Sequence, residues 1–162
     1  MNLFAVAILA YVTIERLIEL WFSGRNTQRL LERGAREHAA GHYPLIVGVH
    51  ALWLVTLWLL AHDRAPDAFW LALYVILQFA RFWVLATLGP RWTTRIIVLP
   101  GEDLVKEGPY RFLNHPNYWI VAGEIAVLPL VFGLPWVALV FTILNAAILT
   151  IRVREENRAL RR

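Results

Sequence analysis

The sequence predicts an all-α integral membrane protein with about five transmembrane helices, folded as a single domain over residues 1–162. Of its residues, 59% are hydrophobic and only 17% are charged. Soluble domains carry roughly 25% charged residues, so this chain has too little polar surface to cover its apolar surface in water. It also contains a series of apolar stretches that approach the roughly 20 residues needed to cross a bilayer.

Five apolar stretches are predicted to form these helices, at residues 3–22, 43–61, 68–88, 118–132 and 136–151. The first has no basic leader and no following cleavage site, so we expect a retained helix rather than a signal peptide. Pro44 suits the first turn of the second helix, and Gly89 with Pro90 ends the third. The fourth is short for a span and is expected to tilt, thin the bilayer or stop part-way. A tight turn at 133–135 makes the last two helices a hairpin.

Arginine-rich and arginine-poor loops alternate, as a single membrane orientation requires. The loops at 25–42 and 90–117 are Arg-rich, whereas the loop at 62–67 contains only Arg64. The tail cations are Arg152, Arg154, Arg158, Arg161 and Arg162. Because basic loops stay in the cytoplasm, we expect the N-terminus outside and the C-terminus in the cytoplasm, in a bacterial inner membrane. The same distribution argues against nucleic-acid binding.

Polar residues inside the apolar stretches need a physical explanation. They are Glu15, Arg16, Glu19, His50, Gln78, Arg81, Glu124 and Asn145. A charge at the bilayer centre costs at least about 2.5–3.5 kcal/mol, and all of these residues are predicted near the midplane or in the cytoplasmic half of their helices. One interpretation is a polar cavity that opens to the cytoplasm. The other is that the charges, above all Glu15 and Arg16, reach the interface and pair with one another.

A polar segment between the third and fourth helices differs from a simple connection. Residues 104–118 read LVKEGPYRFLNHPNY, which combines turn-forming residues with aromatic, basic and histidine side chains. We interpret it as a ligand-holding segment at the membrane surface. In the tail, IRVREENRAL, a continued fifth helix would place Arg152 and Glu156 on one face. They form either an exposed ion pair of small energetic value or a cation and a carboxylate at the mouth of a cavity.

These motifs resemble the isoprenylcysteine carboxyl methyltransferase (ICMT) family, integral membrane enzymes that use S-adenosylmethionine (SAM). The matching motifs over about residues 91–160 are Gly108-Pro109-Tyr110-Arg111, His115-Pro116-Asn117-Tyr118, and Arg152 followed by Glu155-Glu156. Motifs at 25–26, 33–35 and 42–44 resemble a bacterial subgroup, some of whose members methylate lipid-like polyketides such as alkylpyrones. The absence of a Gly-x-Gly-x-x-Gly motif after a strand argues against a Rossmann-type methyltransferase.

The resemblance implies that different parts of the chain contact the acceptor and the cofactor. Residues 1–90 form the lipid-substrate side, and residues 91–162 hold the cofactor motif and the hairpin, with the cofactor pocket on the cytoplasmic side. Leu104 and Val105 are implied to offer backbone groups and an apolar wall to the adenosine of SAM. The other implied SAM-binding residues are Tyr110, His115, Pro116, Asn117, Tyr118 and Glu156, with Glu155 as a substitute for Glu156. Arg152 is implied to be the catalytic residue that orients the acceptor.

Two positions depart from the family's pattern. Asn114 stands where an arginine usually precedes His-Pro, which removes one cation expected near the cofactor's carboxylate. Trp119 and Ile120 stand where a glycine usually allows close helix packing. Both departures bear on the identity of the acceptor more than on the cofactor.

The expected function is O-methylation of a lipophilic anionic acceptor, either a carboxylate such as prenylcysteine or an acidic enol such as a long-chain alkylpyrone. Methyl transfer depends mainly on placing the acceptor against the methyl group, and an anionic acceptor needs no general base. We therefore expect His115 to contact the cofactor and His50 to be an interhelical hydrogen bonder. The expected partners are a lipophilic or lipidated acceptor and membrane lipid, without nucleic acid or metal. Phospholipid N-methylation, a non-catalytic membrane subunit and, more remotely, an NADPH-dependent reductase are the alternatives.

Overall fold

A computed structural model describes residues 1–160, apart from the side chains of His42 and Leu160. Within these residues the chain forms five α-helices: α1 (Leu3–Glu32), α2 (Tyr43–Ala61), α3 (Ala68–Leu88), α4 (Pro116–Val131) and α5 (Pro135–Leu160). The predicted all-α membrane fold is confirmed. The predicted tail cations Arg161 and Arg162 lie outside the described residues.

Two helices are longer than the hydropathy pattern predicts. Helix α1 continues past Phe22 to Glu32, and α5 continues past Ile151 to Leu160. The added part of α1 is polar but packs against the 89–94 loop, where Asn26 Nδ2 donates to the carbonyl oxygens of Gly89 (3.1 Å) and Trp92 (2.8 Å). Apolarity predicts where a helix leaves the membrane, not where it ends.

Three helices are long and apolar enough to cross a membrane, at Tyr43–Ala61, Ala68–Arg91 and Pro135–Ala159. Helix α4 is apolar but has only 16 residues. Helix α1 carries Glu15, Arg16 and Glu19 within its apolar length. The chain is therefore an integral membrane protein, while the crossing of all five helices remains a prediction.

The connecting segments gather at two ends of the helical bundle. At one end, the backbone nitrogen of Asn2 donates to His62 (3.0 Å) and that of Asp67 donates to Val131 (2.7 Å). At the opposite end, the loops at 25–42 and 90–117 meet in a two-stranded antiparallel sheet of β1 (Arg36–His38) and β2 (Ile96–Val98), which α5 also contacts. The sheet was not predicted, because each strand has three residues and pairs with a partner far away in the sequence. The Arg-rich loops thus lie at the end where α5 finishes.

Helices α3 and α4 approach closely at a glycine. A Cβ at Gly123 would lie 3.0 Å from a methyl carbon of Leu77. Trp119, one turn earlier in α4, is 69% exposed, whereas Ile120 is buried. Trp119 therefore points away from the helix contact. The family's usual glycine near positions 119 and 120 is missing here, and Gly123 provides the close helix packing instead.

The charged residues inside the helices form a buried ion network, which we call the α1–α3–α4 network. Arg81 binds Glu19 through both Nε and Nη2 (2.6 Å for Nη2) and Glu124 through Nη1 (2.7 Å). Arg16 also donates to Glu124 (2.9 Å), and Gln78 Nε2 donates to the second carboxylate oxygen of Glu124 (2.9 Å). The pairing interpretation is correct for these residues, since paired charges at this depth lose less solvation energy than separated ones. A polar cavity that opens to the cytoplasm stays a prediction.

Candidate functional site

A cleft of about 510 Å³ lies at the sheet end of the bundle. Strand β2, the 104–118 segment and the last turns of α5 form its walls. The predicted site residues that line it are Leu104, Val105, Tyr110, His115, Asn117, Tyr118, Arg152 and Glu156. Pro116 does not line the cleft; it is buried at the first turn of α4, where its fixed φ suits a helix start. The two motifs, separated by 34 residues between Tyr118 and Arg152, therefore share one site.

The 104–118 segment bends at Gly108 and Pro116. Gly108 has a φ of +53° and opens a single 3₁₀ turn, Gly108–Arg111. A Cβ there would collide with the Thr87 side chain of α3 and lie 3.2 Å from Trp83 Nε1. Glycine is therefore needed both for the left-handed backbone and for contact with α3.

The variant Gly108→Ala is expected to destabilise the protein by about 1–3 kcal/mol, because a Cβ strains a left-handed residue. The collision with Thr87 adds to this strain. Equilibrium unfolding in mixed micelles measures the effect, with Gly101→Ala as the matched control. Gly101 also has a positive φ, +82°, but has open space around it. Equal losses in the two variants would show that the contact with α3 contributes nothing.

Tyr118 connects the end of the 104–118 segment to Arg152 and Glu156 of α5. Arg152 Nε donates to the Tyr118 hydroxyl oxygen (2.8 Å), and this hydroxyl in turn donates to the Glu156 carboxylate. The guanidinium carbon of Arg152 also lies 5.4 Å from the centre of the Tyr118 ring. Arg152 is 7% exposed. The exposed ion-pair interpretation is therefore wrong: Arg152 is buried and reaches Glu156 through a tyrosine hydroxyl.

His115 packs against this relay. Its ring stacks on Tyr118 with centroids 5.3 Å apart, and its Nε2 lies 3.2 Å from Asn157 Oδ1. Its Nδ1 lies 3.7 Å from the Glu156 carboxylate. Glu155 instead pairs with Arg158 at 2.6 Å and does not line the cleft. Of the two tail glutamates, Glu156 is the one that faces the site.

The cleft combines two carboxylates, Glu102 and Glu156, with several cations. Burial, together with the charge of Glu156, raises the pKa of Tyr110 to about 12, so its phenol stays protonated near neutral pH. Three cations from the preceding loop also line the cleft: Arg91, Arg95 and Lys106. They supply positive charge that the asparagine at position 114 cannot provide.

Sequence reasoning missed several lining residues. Asn157 was overlooked although it adjoins Glu156, and Arg91 and Arg95 were assigned only to membrane orientation. Arg91 pairs with Glu102 (3.2 Å), and Arg95 pairs with Glu37 (2.7 Å). The available signal was the position of Arg91 and Arg95 just before the β-branched stretch 96–98, which forms a wall of the cleft.

A second cavity of about 250 Å³ lies beside the cleft, between α1, α2 and α5, and we call it the groove. Four residues line both cavities: Trp92, Asn117, Tyr118 and Arg152. Most of the other lining side chains are apolar, and Leu17 at the α1 side is 60% exposed. In a membrane protein such an exposed apolar edge faces lipid. The groove therefore reaches from the lipid side to the back of the Tyr118–Arg152 pair.

Comparison with known proteins shows which family the chain belongs to. The family model of the isoprenylcysteine carboxyl methyltransferase (ICMT) family matches residues 70–162, more than half of the chain. The chain belongs to the ICMT family. It is 35% identical over 158 residues to the uncharacterized protein YpbQ of Bacillus subtilis (strain 168), with 94% of each chain covered. It is also 23% identical over 151 residues to an uncharacterized protein of Haemophilus influenzae (strain ATCC 51907 / DSM 11121 / KW20 / Rd), with 90% of this chain and 88% of the relative covered.

The ICMT match covers the two cavities to different extents. The matched residues include the 104–118 segment and the Arg152–Asn157 turn, which together form most of the cleft. Helices α1 and α2, which form one side of the groove, lie outside the match but inside the region shared with YpbQ. The family match thus covers most of the cleft and the α3–α5 side of the groove.

Proposed function

We propose that the chain is a SAM-dependent O-methyltransferase that acts on a lipophilic acceptor within the membrane. Membership of the ICMT family supports a membrane methyltransferase. The observation that carries the proposal is the shared wall: Tyr118 and Arg152 line both a polar cleft and an apolar groove. A water-soluble methyl donor and a lipid-dissolved acceptor need adjoining compartments of this kind.

The cleft residues fit SAM, which carries a carboxylate, an ammonium and an adenosine. A volume of about 510 Å³ lies within the range of small-molecule sites, about 300–1,000 Å³. Among residues 1–160, Asn117 Oδ1 and Trp92 Nε1 are buried without a hydrogen-bond partner and belong to residues lining the cleft. They offer an acceptor and a donor that a polar ligand would satisfy.

The charges of the lining residues suggest which part of SAM each residue would contact. Glu156 would hold the ammonium or a ribose hydroxyl, and the cations of the preceding loop would hold the carboxylate. Leu104, Val105 and Tyr110 would contact the adenosine, with His115 and Asn117 completing the bend. Bound SAM supplies an electrophilic methyl group. The contribution of the chain is to place this group and exclude water.

Arg152 would orient the acceptor from the groove side. Its Nε is occupied by Tyr118, and its two Nη groups make no hydrogen bond with a residue in the described part of the chain. These Nη groups provide donors for an acceptor oxygen that carries or develops negative charge. A carboxylate such as prenylcysteine and an acidic enol such as a long-chain alkylpyrone both have an oxygen of this kind.

The proposal also implies a membrane orientation for the chain. The Arg-rich loops and the end of α5 lie at the cleft end of the bundle, and basic loops stay in the cytoplasm. The cleft would then face the cytoplasm, where SAM is dissolved, with the N-terminus outside. In a bacterium, this places the protein in the inner membrane.

Transfer of a labelled methyl group tests the proposal. Membranes containing the full chain are incubated with methyl-labelled SAM, and the lipids are extracted and separated. We expect label in a methyl ester or an enol or aryl ether. Label in methylated phosphatidylethanolamine would instead indicate phospholipid N-methylation. No labelled lipid, together with no binding of S-adenosylhomocysteine in detergent or lipid, would favour a non-catalytic membrane subunit.

A further inference from the structure

The groove contains a histidine whose tautomer is fixed by its own helix. His50 Nδ1 lies 2.9 Å from the carbonyl oxygen of Ile46, one turn earlier in α2. A carbonyl only accepts hydrogen bonds, so Nδ1 carries the proton and Nε2 carries the free lone pair. Nε2 makes no hydrogen bond with any group in the described part of the chain. The interhelical hydrogen bond expected for His50 is therefore wrong, since its bond is made within α2.

The other ionisable groups of the groove come from every helix packed around His50. They are Arg16 and Glu19 of α1, Tyr43 at the start of α2, Arg81 of α3, Tyr118 of α4 and Arg152 of α5. Arg16, Glu19 and Arg81 belong to the α1–α3–α4 network and pair with one another. Tyr43 bonds Thr94 at 3.0 Å. Arg152 is the cation in this described set with Nη donors left over, and His50 is the base with a free lone pair.

We propose that His50 is the general base of the methyl transfer, and that the acceptor enters the groove as a neutral, weakly acidic hydroxyl, an enol or phenol, on a lipophilic chain. This inference rests on the proposed function. His50 Nε2 takes the hydroxyl proton while Arg152 holds the negative charge that develops on the oxygen. That oxygen bonds to the methyl carbon as the methyl–sulfur bond of SAM breaks. His50 then releases its proton to water, and the methyl ether and neutral S-adenosylhomocysteine leave.

The groove favours a hydroxyl over a carboxylate for two reasons. An anion that enters a mostly apolar groove loses hydration at a cost of several kcal/mol, whereas a neutral hydroxyl carries no charge until its proton moves. A carboxylate also has no proton to share with Nε2, so two acceptor atoms would face each other. A hydroxyl can both donate to His50 Nε2 and accept from Arg152, and both residues line the groove.

A matched pair of histidine variants tests the role of His50. His62, which directly follows the last residue of α2, makes the same bond to the preceding helical turn, from Nδ1 to the Trp58 carbonyl at 3.0 Å, but lines neither cavity. With a long-chain phenol as acceptor, His50→Gln is expected to lower kcat at neutral pH by about 100-fold or more, the usual contribution of a general base. We expect its KM to stay within about threefold of the wild-type value and His62→Gln to behave like wild type.

The pH dependence distinguishes a base from a packing residue. As pH rises toward the phenol's pKa, roughly 10, the acceptor ionises without help, so the deficit of His50→Gln should shrink. An alkylated nitrophenol, which absorbs visible light only as its anion, provides a readout without methyl transfer. Bound with S-adenosylhomocysteine, it should be less ionised in His50→Gln than in wild type or His62→Gln.

The outcomes separate the two proposals. A His50→Gln rate within about threefold of wild type at neutral pH, or a deficit that does not change with pH, would overturn the base role while leaving the methyltransferase intact. Equal losses in His50→Gln and His62→Gln would also overturn it, because they would assign the effect to the stability of α2. A wild-type protein that methylates no lipophilic acceptor would overturn the proposed function and, with it, the role of His50.

Discussion

Replacing Glu156 with glutamine is expected to weaken binding of S-adenosylhomocysteine by about 100-fold or more. Glutamine keeps the size of the side chain and an oxygen that can accept from Tyr118, but it removes the negative charge that would face the ligand's ammonium. Losing one partner of a buried charged pair costs about 2–5 kcal/mol, and each 1.4 kcal/mol is about tenfold in affinity. Calorimetric titration of the full chain in detergent and in lipid nanodiscs measures this change.

The neighbouring glutamate provides the control. Glu155 pairs with Arg158 and does not line the cleft, so Glu155→Gln should bind like wild type. Tyr118→Phe should give an intermediate loss, because it breaks the relay but keeps the Glu156 charge. If Glu155→Gln weakened binding more than Glu156→Gln, the cleft would hold the ligand in a different orientation from the one proposed.

The second large effect concerns stability: Arg81→Met is expected to lower the free energy of unfolding by about 3–5 kcal/mol. Arg81 is buried and binds Glu19 and Glu124 on two different helices. Removing it leaves two carboxylates close together with Arg16 as their remaining cation, inside a membrane protein where water cannot replace the lost partner. Unfolding in mixed micelles reports the change.

An exposed arginine serves as the comparison. Arg33 pairs with Glu102 at 3.3 Å, but its side chain is 58% exposed, so Arg33→Met should cost less than about 1 kcal/mol. Adding Glu19→Gln to Arg81→Met should restore part of the stability by removing one of the two carboxylates that then share Arg16. Similar small losses for Arg81→Met and Arg33→Met would mean that the α1–α3–α4 network does not hold the helices together.

Apolar length and helix-breaking residues were sufficient to predict α2 and α3 to the residue, at Tyr43–Ala61 and Ala68–Leu88. They missed the polar extensions of α1 and α5, because those turns are stabilised by contacts with the 89–98 loop and the cleft rather than by lipid. The β1–β2 sheet was missed for a related reason. Its pairing joins residues 36–38 to 96–98, and local sequence says little about such distant partners.

Most of the candidate site could be predicted because its residues lie in two compact motifs. The sequence predicted that Tyr118, Arg152 and Glu156 belong to one site, and the structure brings them together. It could not show that Tyr118 stands between the other two, nor that Glu156 rather than Glu155 faces inward, because both depend on the angle at which α5 passes α4. His50 was interpreted as an interhelical hydrogen bonder, since its free nitrogen becomes visible only with the groove.

The most direct measurement is to map where a photoreactive analogue of S-adenosylhomocysteine crosslinks to the full chain in lipid nanodiscs, using mass spectrometry. We expect crosslinks that SAM competes away, confined to residues 104–118 and 152–157, the two sides of the cleft. Crosslinks confined to the α1–α2 side of the groove, or none that SAM displaces, would contradict the assignment of the cleft as the methyl-donor site.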